Sequence, residues 1–137
     1  AALADALAIA RAHDVVLAFE PEPANVINSV AKARRLLDTV RDPHLKVTMD
    51  PANIVATDRT RAPEAVLREA FALLGGEIAI AHAKDLDAEG RFCAAGTGIV
   101  PWQTCRELFA EARYDGALVL HSLREDQVRD ALRAIPA

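Results

Sequence analysis

The sequence predicts an α/β fold of four consecutive strand-plus-helix units, and three observations support this. Short apolar runs alternate with segments of helical spacing, turn and helix-start residues fall at the junctions between them, and about half of the 137 residues are apolar, chiefly Ala, Val, Leu and Ile. This length and composition suit one domain with a single core and argue against disorder.

The chain opens on Ala1, already inside a helical pattern of Leu3, Leu7 and Ala10, as expected of a piece cut from a longer protein. The runs Val15 to Phe19, Leu45 to Met49, Ile78 to Ala81 and Leu118 to Leu120 are short and aliphatic, as buried parallel strands are. Between them the spacing turns helical: Val30, Ala33, Leu37 and Val40; then Val66, Leu67, Ala70, Phe71 and Leu74; then Trp102, Cys105, Leu108 and Phe109. Pro63 suits the first turn of the second of these helices, Gly75-Gly76 its end, and Asp115-Gly116 the turn into the last strand. A closing helix carries Val128, Leu132 and Ile135.

Such alternation implies a parallel sheet with right-handed crossovers, either an open doubly wound sheet or part of a (βα)8 barrel. Periodicity does not choose between them. A whole barrel takes about 250 residues, so four units amount to about half of one.

A formal charge of -4 and a pI near 5.5 leave no basic stripe for a nucleic acid backbone. No apolar run approaches the roughly 20 residues that cross a bilayer, and the N-terminus has no signal-peptide pattern. The expectation is a cytoplasmic protein with neither nucleic acid nor membrane as partner. Cys93 and Cys105 are too few for a disulfide framework, so both are expected as thiols.

The residue at the end of each strand points to the chemistry. Phe19 runs into Glu20, Met49 into Asp50, Ala81 into His82 and Leu120 into His121. In parallel α/β folds the C-terminal strand ends share one rim, so Glu20, Asp50, His82 and His121 are expected to converge. Two carboxylates and two imidazoles suit a divalent ion: Mn, Fe, Co or Zn rather than Mg alone. Taken singly, each residue has a plainer reading: Glu20 as a loop acid, Asp50 as a cap before Pro51, either histidine as a core residue. Four at equivalent strand ends favour the metal site. His13 and His44 precede strands, at the opposite rim, and are left out of it.

Glu20-Pro21-Glu22, Asp50-Pro51-Ala52-Asn53, His82-Ala83-Lys84-Asp85, Gly96-Thr97-Gly98 and Tyr114-Asp115-Gly116, in this order, resemble the xylose-isomerase-like sugar phosphate isomerases and epimerases. The match runs from about Val15 to the end. The resemblance implies the C-terminal half of a TIM barrel, residues 1–137 as a single domain, whose strands supply the metal ligands, with Glu20, Asp50 and His82 matching three of them. In these enzymes the last strand usually presents a glutamate that shares proton transfer with the glutamate of the fifth strand, whereas here the position holds His121. A histidine still serves as ligand or base near neutral pH, but not within a glutamate pair.

The expected activity is isomerisation or epimerisation of a sugar or sugar phosphate, with Glu20 and His121 moving the proton. Asn53 and Lys84 are expected to contact substrate; the plainer alternatives are a loop cap for Asn53 and a surface pair with Asp85 for Lys84. Gly96-Thr97-Gly98 offers backbone N–H groups to a phosphate or is only a turn. Two rival readings remain. One is a non-catalytic metal-binding half-barrel whose open edges pair two copies into a homodimer. The other is a barrel endonuclease acting on abasic DNA, which the acidic charge opposes.

Overall fold

Strand pairing settles the choice between an open sheet and a barrel segment. In the computed structural model, which describes residues 2–135, β1 (Leu17–Phe19), β2 (Leu45–Met49), β3 (Ile78–Ala83) and β6 (Leu118–Leu120) form one parallel sheet in the order β1-β2-β3-β6. The order runs with the chain, without the reversal that defines a doubly wound sheet. This is the progression of a barrel wall, four strands long.

The predicted helices lie where the spacing puts them: α1 (Ala2–Ala12), α2 (Val30–Val40), α4 (Pro63–Leu74), α5 (Trp102–Glu111) and α6 (Val128–Ala134). Ser29 caps α2 by accepting from the Lys32 N–H, and Pro63 starts α4, where its missing N–H leaves nothing unpaired. The core is built from Leu45, Val47 and Met49 of β2 against Ala33 and Leu37 of α2, Leu67 and Leu74 of α4, and Cys105 and Leu108 of α5.

A short helix and a two-stranded hairpin lie outside the sequence-based expectation. A short helix, α3 (Pro51–Thr57), comes directly after β2, and β4 (Asp85–Leu86) pairs antiparallel with β5 (Phe92–Cys93) beyond the rim. The closing helix also differs from expectation: Val128 and Leu132 are exposed, Leu132 by 60%, and Ala131 is the residue buried. The small Ala131 and, just past the helix end, Ile135 approach the core, while Val128 and Leu132 do not.

Alternation along the strands places the site. Leu17 and Phe19 pair with Leu45 and Val47, Met49 with Ala81, and Ala83 with Leu120, so these residues face the helices. Ala18, Thr48, Ile80 and Val119 therefore face the opposite, concave side. Glu20, Asp50, His82 and His121 lie two residues beyond each of these, on that same side. Among the described residues no helix is long and apolar enough to cross a membrane.

Candidate metal centre

Asp50 is the centre of the constellation. It is 1% exposed and N-caps α3, its Oδ1 accepting from the Asn53 N–H at 3.1 Å. Its Oδ2 lies 3.1 Å from His121 Nε2, 3.9 Å from His82 Nδ1 and 2.9 Å from Lys84 Nζ. Oδ1 realises the plain cap reading, and Oδ2 faces the other residues of the constellation.

Asp50, His82 and His121 each offer a ligand atom, and all three atoms lie within 4.8 Å of one another. His82 Nδ1 is buried without a hydrogen-bond partner. An orphaned buried nitrogen facing carboxylates fits a ligand atom, since buried polar atoms otherwise find partners. The two rings meet edge to face with centroids 4.7 Å apart, and Ser122 Oγ lies 3.0 Å from His121 Nδ1, which orients that ring. Glu20 stands slightly outside the set: its Oε1 is 3.5 Å from His82 Nδ1 and accepts from Asn53 Nδ2 at 2.6 Å. A carboxylate, two imidazoles and a second carboxylate within reach fit a divalent transition ion.

Sequence reasoning left Lys84 and Asp85 open as a surface pair, and the structure corrects that. Lys84 is 4% exposed, bonded to Asp50, with Phe92 against its ammonium at 4.2 Å from the ring centroid. Alternation explains the turn inward, since Lys84 is two residues from His82. Asp85, fully buried, accepts from the N–H groups of Leu86, Gly96, Val100 and the Trp102 indole. That also takes up part of the Gly96-Thr97-Gly98 turn. The Gly96 N–H is held by Asp85, those of Thr97 and Ile99 go to Ala94 O and Leu86 O, and a Cβ on Gly96 would meet that of Ala134 at 2.0 Å.

Sequence reasoning puts His82 just past its strand, but β3 runs on to Ala83, whose carbonyl accepts from the His121 N–H at 3.2 Å. Asn53 joins the site through Glu20 and Asp50. Phe92 and Ser122 were missed, and no spacing rule identifies either. His44 is at the far rim, its Nδ1 2.9 Å from Val15 O.

A family model described as a xylose isomerase-like TIM barrel matches residues 1–137. The chain belongs to this family. The crystal structure of a xylose isomerase domain protein from Planctomyces limnophilus superposes with a TM-score of 0.71 at 22% identity, covering 94% of this chain and 46% of that one. The chain thus spans about half the length of that family structure, and at this identity the likeness speaks for the fold. No curated protein matches it significantly.

Proposed function

We propose that the chain is the C-terminal half of a metal-dependent sugar or sugar phosphate isomerase or epimerase. One observation carries the reading: strand alternation delivers Asp50, His82 and His121 to within 4.8 Å of each other, with Glu20 beside them, at the rim where barrel enzymes work. Asp50, His82 and His121 would hold the ion, with Glu20 as the fourth ligand. When bound, the ion supplies Lewis-acid polarisation of a substrate carbonyl and so acidifies the neighbouring C–H.

The remaining steps belong to the chain. Asn53 fixes Glu20 Oε1, so proton abstraction falls to Oε2. When its Nε2 does not ligate the ion, His121 is the second proton carrier. Ser122 orients its Nδ1, and Nε2 serves either as ligand or as base, not as both at once. Returning the proton to the neighbouring carbon, with the hydroxyl proton passing from one oxygen to the other, gives isomerisation; returning it to the opposite face of the same carbon gives epimerisation.

Elemental analysis of the purified, unchelated protein tests the metal. About one Mn, Fe, Co or Zn per chain is expected, lost in His82→Ala with the circular dichroism unchanged. A metal-free wild type, even after reconstitution, would sink the reading. In a screen of ketoses, aldoses and their phosphates, Glu20→Gln should abolish turnover while the protein stays folded.

A second reading has its own observation. Among the described residues the outer edges of β1 and β6 are unpaired, and Val15, Val16, Leu118 and Val119 beside them are exposed. Here the half-barrel binds metal without catalysis and closes against a second copy of itself.

A further inference from the structure

Among the described residues Lys84 is the most buried cation, and the function proposed above does not explain it. At 4% exposure its ammonium has lost most of its hydration, which lysine tolerates only beside a compensating charge. That charge is Asp50 Oδ2, 2.9 Å away. This is the oxygen that also faces His121 Nε2 and His82 Nδ1 and would bind the ion. The ammonium also lies over the Phe92 ring, whose face favours a cation there. The backbone cannot carry Lys84 away, because the next residue, Asp85, is tied down by four N–H donors.

We propose that Lys84 is the resident counter-cation of the metal centre: it neutralises Asp50 when no ion is bound, competes with the ion for Oδ2, and so sets how tightly metal is held. This rests on the metal reading above. Asp50 and Glu20 with Lys84 sum to one negative charge; without Lys84 they sum to two, and a dication gains from the difference at the buried Asp50 carboxylate. Lys84 therefore keeps the buried carboxylate stable without metal, at the expense of affinity.

The test is metal binding by Lys84→Met and wild type, titrated with Mn²⁺ and with Zn²⁺ alone against a competing chelator, with His82→Ala as the non-binding control. Melting is recorded with chelator and with saturating ion. Lys84→Met should bind at least about tenfold tighter. It should also melt lower than wild type in chelator, the gap closing when metal is added, because the ion then supplies the charge that Asp50 lacks. A general loosening of structure would weaken binding, so the direction separates the two causes. Equal or weaker binding by the variant, with wild type binding normally, overturns the role of Lys84 and leaves the metal site standing. No binding by either protein overturns the metal reading and this proposal with it. If Lys84→Met folds only when Mn²⁺ or Zn²⁺ is present, the ion has replaced the lysine and the proposal holds; failure to fold even then overturns it.

Discussion

Asp50 shows how much of a site single residues declare. A carboxylate before proline reads as a helix cap, and it caps α3; the same residue at a strand end reads as a ligand, and its second oxygen faces two imidazoles. Glu20, Asp50, His82 and His121 were legible because alternation fixes the side of a strand from sequence alone. The partner of Lys84 was not, since an adjacent and a distant aspartate are equally available until the sheet is built. Cys105 gives a prediction at this scale. Burial pushes its thiol from 9.0 up to about 12, with the Asp85 charge adding to the effect. The unfolded thiol ionises near 9.0 while the folded one stays protonated, so its contribution to stability is complete below that pH and lost as pH rises towards about 12. Urea unfolding across this range should show a steeper alkaline decline for wild type than for Cys105→Ala. Native alkylation should label the partly exposed Cys93 and spare Cys105. Equal slopes, or prompt labelling of Cys105, would contradict this.

At the scale of elements, the regular strands and helices were readable because their apolar period is long enough to count. The β4–β5 hairpin and α3 were not: two-residue strands have no period, and the seven residues of α3 make only two turns. A buried carboxylate holds the hairpin region together. Asp85 Oδ1 accepts from Leu86 and Val100, and Oδ2 from Gly96 and Trp102, tying β4, the glycine turn and the start of α5 to one side chain. Asp85→Ala strands all four donors and should cost about 3 to 5 kcal/mol. Asp85→Asn, which keeps one oxygen, should fall between that variant and wild type. Denaturant unfolding followed by fluorescence checks both, because Trp102 is the only tryptophan and loses its indole hydrogen bond. A loss under about 1 kcal/mol for Asp85→Ala would mean that water replaces the carboxylate easily.

At the scale of the whole molecule, strand order was the step that sequence could not supply. Alternating strands and helices fit two architectures, and the unreversed order β1-β2-β3-β6 fits one of them. Among the described residues that order leaves two parallel edges without a partner strand, and symmetry limits how a second copy closes them. A two-fold axis along the strands sets β6 of each copy beside β1 of the other and keeps all eight strands parallel; an axis across the strands would set them antiparallel. Such a pairing covers Val15, Val16, Leu118 and Val119 and brings two metal centres to one rim. Sedimentation over a range of concentrations should therefore show this chain in a monomer–dimer equilibrium. A charge at the edge, as in Val119→Glu, should shift it at least about tenfold towards monomer, since burying an unpaired carboxylate opposes closure. A strict monomer at every concentration would remove the paired half-barrel. The proposed enzymatic reading would survive that result, because the ligands Asp50, His82 and His121 all come from one chain.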